Sequence, residues 1–192
     1  MKNMYNTQYQ YTHDIDWFFL IGGEPIHCAS NGGRVPNIYS AIDLQNLQVE
    51  VEAIAPTHQF VLNHAAIERY VRDHYRDVDE ELLRRQGLPE MVKNIDFDED
   101  TPVWMKAYSW SFVKMAQRGF LSFDRNAETG LYFLVASPAD YNEFRGDVVR
   151  MMYKLPENEF PYDSIQSVRE NSQEQINFVS VIERYERKYL NG

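Results

Sequence analysis

Two aspartates and a histidine near the N-terminus are the residues whose types and spacing can support chemistry. Asp14 and Asp16 are separated by one residue in a run rich in aromatic side chains, and His27 follows a turn that contains two glycines and a proline. Side chains alternate across a strand, so both aspartates share one face of a hairpin predicted over residues 14–30. Two carboxylates and an imidazole on that face can bind a divalent metal ion or carry out acid–base chemistry. We therefore take Asp14, Asp16 and His27 as the candidate catalytic residues.

The loop of this hairpin sets the register and hence the neighbours of His27. Pro25 has no N–H to donate to a ladder, which favours a four-residue loop at 22–25 and places His27 opposite Leu20. The competing interpretation is a solvated face without a site. Polar alternation is typical of any half-buried antiparallel strand, and Asp-x-Asp alone is a common sequence.

Other motifs that usually indicate a metal or a cofactor are missing. Cys28 is the one cysteine of the chain, which excludes a disulfide within it, and alternation places its thiol on the apolar face as an inert group. His64 and His74 are ten positions apart, about 15 Å along one helix, so they cannot share an ion. Phosphate-loop, dinucleotide-binding, nucleophile-elbow and Cys-x-x-Cys patterns are absent from the sequence. We predict no cofactor and no metal site.

A second candidate region is the segment 102–118, whose spacing predicts a helix. Lys106, Trp110, Lys114 and Arg118 lie along this segment and are the candidate binding residues. A tryptophan among lysines can anchor a protein partner, because Trp is enriched at the energetic centres of interfaces. The alternative is a central helix that is buried nearly all round, with lysine stems covering its rim.

The predicted order of elements around this helix resembles a winged-helix arrangement. The order is helix 57–76, helix 78–86, helix 102–118 and hairpin 120–136, and it would bring Lys114, Arg118 and Arg125 to one end. The resemblance is one of topology and implies nucleic-acid binding. Residues 101–155 carry seven basic and five acidic side chains, a net charge of only +2. The two tryptophans of the helix also suit a core or a protein interface better than a DNA-reading helix.

Composition limits the class of protein. The net charge of −10 disfavours general binding to nucleic acid or to an anionic membrane, and 44% hydrophobic residues suffice for a packed core. The apolar run at 17–21 is too short for a signal sequence or a membrane span. We therefore expect a soluble cytoplasmic protein with one α+β domain over residues 1–192, with disorder considered for residues 1–12. Its oligomeric state is left open.

The elements that position the candidate residues are two β-hairpins and several helices. Residues 38–53 are ambiguous between helix and strand, and the spacing of their apolar residues favours a helix at about 39–51. The two hairpins are expected to share one antiparallel sheet against which the helices pack. The predicted hairpins are 14–30 and 120–136, and the principal helices are 57–76, 78–86, 102–118 and 172–189.

Three functional hypotheses follow from these patterns. The first is a non-catalytic protein-interaction or regulatory module, because the sequence holds a full aromatic core and no catalytic motif. The second is a small hydrolase or metal-assisted enzyme that uses Asp14, Asp16 and His27. The third is a winged-helix-like nucleic-acid-binding protein. Convergence of the three candidate catalytic residues in a cleft would favour the second hypothesis, whereas an exposed Trp110 would favour the first.

Overall fold

The structure is a computed structural model that describes residues 5–75, 77–140, 147–161, 165–170 and 174–189. Helices and strands in these ranges form one mixed sheet with helices around it, which confirms the predicted α+β class. The strands are β1 Asp16–Ile21, β2 Glu24–Ala29, β3 Phe60–Leu62, β4 Leu121–Arg125, β5 Tyr132–Pro138, β6 Tyr153–Leu155 and β7 Gln175–Ile176. The α-helices are α1 Thr7–Thr12, α2 Ala41–Glu52, α3 His64–Tyr70, α4 Arg72–Tyr75, α5 Glu80–Arg85, α6 Leu88–Val92, α7 Val103–Ala116, α8 Ile165–Glu170 and α9 Phe178–Tyr189.

The sheet joins the two N-terminal strands to a second pair that lies far away in sequence. Its order is β3-β5-β4-β2-β1-β6, and β7 also pairs with β5. The pairs β1·β2 and β4·β5 are antiparallel, whereas β2 and β4 run parallel. The expected antiparallel sheet is therefore wrong in this respect. Because α2 to α7 lie between β2 and β4 in the chain, β4 enters the sheet by a crossover, which is how parallel neighbours are connected.

The loop between β1 and β2 has two residues, and the predicted four-residue loop is wrong. Ile21 pairs with Glu24, and the glycines between them have positive φ angles of 58° and 102°. Glycine adopts this left-handed conformation without a steric penalty, so it closes the tight turn. Pro25 is tolerated because β2 pairs with β4 only from Ile26 onward. His27 consequently lies opposite Phe18 rather than Leu20, on the same face as predicted.

Each face of the sheet packs against different helices. On one face, Phe178 of α9 contacts the rings of Phe19, Phe123 and Tyr132, with centroids 5.0–5.7 Å apart. On the other face, α7 and α3 pack apolar side chains such as Phe112 against β5. Both faces are buried along most of β1, β2 and β4. Polar groups on these strands are therefore exceptions within a packed core.

The predicted helix 57–76 is wrong in its first part. Phe60 and its two successors form β3, which pairs with the end of β5, and the helix begins only after Asn63. Asn63 Oδ1 accepts a hydrogen bond from the N–H of Ala66 at 3.2 Å, an N-cap that fixes the start of α3. The spacing of Phe60 fitted a helix, but pairing with β5 determines its conformation.

The remaining predicted helices have shifted ends. The helix favoured for 39–51 is α2, and those predicted for 78–86 and 102–118 are α5 and α7. Of the segment 172–189, residues 172–173 lie outside the described residues, β7 follows, and α9 begins only at Phe178. Residues 1–4 of the segment considered for disorder also lie outside them, and α1 follows. Within the described ranges no helix has the length and apolar composition needed to cross a membrane.

Candidate functional site

Two carboxylates flank an alanine on three adjacent strands. Asp16 of β1 is the register partner of Ala29 of β2, and Ala29 is the partner of Asp124 of β4. Neighbouring strands lie about 4.8 Å apart, so the two aspartate backbones are about 10 Å apart. The single methyl of Ala29 fills little of the space between them. The sheet therefore presents two carboxylates with a gap that a small molecule can enter.

The next row of the same face supports Asp16 with a buried histidine. His27 Nε2 lies 3.1 Å from Asp16 Oδ1, and its Nδ1 lies 2.7 Å from Ser122 Oγ. With the proton on Nε2, His27 donates to Asp16 and accepts from the Ser122 hydroxyl. Ser122 is completely buried, whereas 47% of the Asp16 side chain is exposed. The accessible group of this Asp–His–Ser series is thus the carboxylate, and Ser122 orients the ring instead of acting as a nucleophile.

These residues line a cavity of about 550 Å³ between the sheet and the helices. Asp14, Asp16, His27 and Asp124 form its acidic side. Aromatic rings from α3, α4, α7 and β5 form much of the remaining wall, namely Tyr70, Tyr75, Tyr108, Phe112 and Phe133. A volume of this size suits a small-molecule ligand. The cavity thus places an aromatic wall opposite a group of polar and charged side chains.

The surroundings of Asp16 favour its ionised form. Burial by itself raises the pKa of this carboxyl, but the hydrogen bond from His27 and the electrostatic interaction with that ring outweigh burial and hold the pKa below its usual range. Asp16 is consequently a carboxylate at neutral pH. It is half exposed to the cavity, so it can accept a proton there.

The surroundings of Asp124 act in the opposite direction. Burial raises the pKa of Asp124 to about 7, although hydrogen bonds from the Tyr108 hydroxyl and the Arg125 N–H partly counteract it. The Tyr108 hydroxyl donates to Oδ2 at 2.7 Å, and the Arg125 N–H donates to Oδ1 at 2.7 Å. Burial also raises the pKa of Tyr108, which therefore stays a neutral donor. Asp124 is thus held in a fixed orientation, and its raised pKa lets it carry a proton much closer to neutral pH than an ordinary aspartate does.

Asp14 lies at the rim of the cavity, just before β1. Its Oδ1 accepts a hydrogen bond from the N–H of Asn31 at 2.7 Å and lies 3.4 Å from the Ser30 hydroxyl. Burial raises its pKa, with the nearby Asp16 adding to the effect. Asp14 thus closes the loop after β2 and adds negative charge to the cavity.

The structure brings all three candidate catalytic residues to one cavity and adds a residue that the sequence did not indicate. Asp124 was missed because the partner of β2 could not be identified from the sequence. The available signal was alternation in the segment 121–125, which places Ser122 and Asp124 on one face. His74 also lines this cavity, where its side chain is exposed. Cys28 is fully buried on the opposite face, and burial raises the pKa of its thiol.

Lys106, Trp110 and Lys114 lie at four-residue intervals on α7, and Arg118 follows the end of that helix. Lys114 Nζ lies 4.6 Å from the ring centroid of the partly exposed Trp110, and Lys106 Nζ lies 5.9 Å from that of Phe97. Arg118 donates to the carbonyls of Lys114 at 2.8 Å and Glu52 at 3.3 Å.

Arg118 and Arg125, which the winged-helix arrangement would bring together, are separated by β4. Arg118 precedes the strand, and Arg125 is its last residue. The hairpin β4–β5 is paired with β2 and β3 along its outer edges, so it does not project as a separate wing.

Within the described ranges, no group of three or more His, Cys, Asp or Glu side chains has a geometry suited to a metal ion. A scan against models of protein families, a search among curated proteins and a search among solved structures each found no match for this chain. The function has to be inferred from the geometry of the cavity.

Proposed function

We propose that this protein is a small acid–base hydrolase whose substrate binds in the cavity between the sheet and α7. The observation that carries the proposal is the pair Asp16 and Asp124, which flank Ala29 and whose environments move their pKa values apart. Two carboxyl groups with separated pKa values provide a base and an acid in one site at the same pH.

Each carboxyl group has a defined role in this proposal. Asp16, which His27 keeps ionised, takes a proton from a water molecule as the water oxygen attacks the electrophilic atom of the substrate. Asp124, in its protonated form, gives its proton to the leaving atom as the bond to that atom breaks. The water supplies hydroxide to one product, Asp124 supplies a proton to the other, and proton exchange with solvent restores both carboxyl groups.

Two sets of hydrogen bonds position these groups. The Tyr108 hydroxyl and the Arg125 N–H fix the plane of the Asp124 carboxyl. The hydrogen bond between Ser122 and His27 fixes the ring that holds Asp16. Because His27 and Ser122 are buried, the support of Asp16 is formed before substrate binds.

The proposal predicts a bell-shaped pH dependence of hydrolysis. Activity falls above about pH 7 as Asp124 loses its proton, and it falls in acid as Asp16 gains one. Turnover of 4-nitrophenyl esters, phosphates and glycosides provides a colorimetric readout for the whole chain. Asp16→Asn and Asp124→Asn should each reduce kcat by about 10²–10⁴-fold.

Asp147→Asn is the matched control for these variants, because Asp147 is exposed and lies in a distant 3₁₀ turn at Asp147–Arg150. It should leave kcat unchanged. A panel on which no substrate is turned over, or a loss below about tenfold in both Asp16→Asn and Asp124→Asn, contradicts the assignment.

The protein-interaction module predicted from the sequence is a second candidate, favoured by the position of Trp110. Its ring is partly exposed on α7 with the Lys114 ammonium against it. Such a tryptophan can anchor a partner. A photo-crosslinking residue introduced at position 110 of the full chain tests this candidate. A discrete cross-linked species supports it, and a chain that remains unlinked in its native extract contradicts it.

A further inference from the structure

The side chain of Arg125 occupies a space that two glycines keep open. Arg125 ends β4, directly after Asp124, and lines the same cavity. A Cβ atom added to Gly33 would collide with Arg125 Nε, and one added to Gly130 would lie 3.1 Å from Nη2. Any side chain at position 33 would therefore displace the guanidinium. Gly33 therefore has a specific role, which is to let the Arg125 guanidinium lie against the backbone.

The guanidinium of Arg125 has no acceptor in the described part of the chain. Only its backbone N–H and carbonyl make hydrogen bonds there. Other half-buried arginines differ, since Arg118 and Arg169 both donate to backbone carbonyls, the latter to Pro138 at 2.7 Å. The Arg125 side chain is half-buried and lines the cavity, so a ligand there can supply acceptors for the five donors of its guanidinium.

We propose that Arg125 binds an oxyanion of the ligand, a carboxylate or a phosphate, so that the cavity takes anionic small molecules. The planar fork of a guanidinium matches the paired oxygens of both groups. The identification of this ligand as the substrate rests on the proposed hydrolase function. An oxyanion on Arg125 lies beside Asp124, and its negative charge favours the protonated form of that carboxyl. Anion binding therefore supports Asp124 as the acid.

The acidic groups of the cavity make this binding depend on one residue. Asp14 and Asp16 contribute negative charge to the same space, so the general field of the cavity repels an anion. Direct contact with the positively charged guanidinium offsets this repulsion. Removal or displacement of Arg125 should consequently abolish binding rather than weaken it slightly.

Calorimetric titration of the full chain with inorganic phosphate, and separately with acetate, tests the proposal at constant ionic strength. At least one of the two anions should bind at a single site, and the preferred anion identifies the oxyanion. Arg125→Gln should weaken that binding at least tenfold. Arg34→Gln is the control, because Arg34 is an exposed arginine paired with Glu183, and it should bind as the wild type does.

Gly33→Ala tests the position of the Arg125 guanidinium without changing its charge. The added methyl moves the guanidinium while the net charge stays the same, so this variant should lose anion binding to a similar degree as Arg125→Gln. Combining the two changes should add little further loss, because both act on one contact. Thermal unfolding checks that both variants remain folded. If Arg125→Gln does not fold, the same titration is carried out on Arg125→Lys, which retains a cation but lacks the planar fork and should also bind the anion more weakly.

The outcomes distinguish this proposal from the hydrolase assignment. If neither anion binds, or if Arg125→Gln and Gly33→Ala bind like the wild type, the oxyanion site is wrong, whatever the activity of the Asp16→Asn variant. If anion binding is lost in those variants while Asp16→Asn and Asp124→Asn retain full activity, the hydrolase assignment is wrong and the oxyanion site stands.

Discussion

The same three strands carry two adjacent rows of opposite character. Trp17, Cys28 and Phe123 are register neighbours on the face covered by α9, and all three are completely buried. One residue away along each strand, Asp16, Ala29 and Asp124 form the row that faces the cavity. The first row stabilises the fold through packing. The second row holds a nearly buried carboxyl group and leaves a gap, which costs stability and creates a place for chemistry.

This comparison makes opposite predictions for neighbouring residues of β4. Removal of packing from the α9 face should destabilise the protein without touching the cavity. Removal of charge from the cavity face should change the pH dependence of stability and of activity.

The largest effect is expected from Phe123→Ala on the α9 face. Phe123 is fully buried and packs edge-on against Phe178 with ring centroids 5.0 Å apart. Its truncation leaves a cavity and should lower the free energy of unfolding by about 3–5 kcal/mol, measured from the urea midpoint at an unchanged m-value. Glu128→Ala in the exposed turn after β4 should change it by less than about 0.5 kcal/mol. A loss below about 1 kcal/mol for Phe123→Ala would contradict the role given to this face.

A smaller effect, which depends on pH, is expected on the stability of the Asp124→Asn variant. The folded chain holds the Asp124 proton up to about pH 7, against an ordinary pKa of 3.8, so it binds more protons than the unfolded chain between these values. Stability should therefore fall as pH rises through this window, by at most about 4 kcal/mol, because one pKa unit corresponds to 1.36 kcal/mol.

Asparagine cannot ionise, so the stability of the Asp124→Asn variant should lack the fall that the ionisation of Asp124 causes in the wild type as pH rises. Urea unfolding at several pH values measures the difference between variant and wild type. Asp147→Asn should retain the full pH dependence. Parallel curves for Asp124→Asn and the wild type would show that the Asp124 carboxyl is not a buried acid.

The smallest effect is expected from Ser122→Ala, which tests whether Ser122 positions His27. Ser122→Ala removes the partner of His27 Nδ1 and leaves that buried nitrogen unpaired, at a cost of about 1–3 kcal/mol. It should also shift the acidic limb of the pH–activity profile, because the ring that holds Asp16 is no longer fixed. Cys28→Ala changes a neighbouring position on the opposite face and should leave the profile unchanged. Coincident profiles for Ser122→Ala and the wild type would remove Ser122 from the site.

The part of the site that the sequence could indicate is the part that depends on alternation within one hairpin. Asp16 and His27 share a face whether the loop has two or four residues, since both loops preserve the parity of the strands. The residue opposite His27 on β1 was predicted wrongly, as Leu20 instead of Phe18. The reason is that two glycines with positive φ angles close a tighter turn than Pro25 suggested.

The part that the sequence could not indicate depends on contacts between distant segments. Asp124 reaches Ala29 only through the parallel pairing of β2 with β4, and no local pattern in either segment encodes that partner. Phe60 shows the same limit, since its spacing fits a helix although it pairs in β3. Residues 1–192 were predicted to form one domain, which stays a prediction.

The central claim is that Asp16 and Asp124 have separated pKa values at the two sides of one gap. Titration of the side-chain carboxyl carbons by NMR, with assignment through Asp16→Asn and Asp124→Asn, measures both groups in the full chain. We predict a midpoint of about 7 for Asp124 and a midpoint below the ordinary aspartate value for Asp16. If both carboxyl groups titrate together near 3.8, they are equivalent surface acids, and the acid–base function is contradicted.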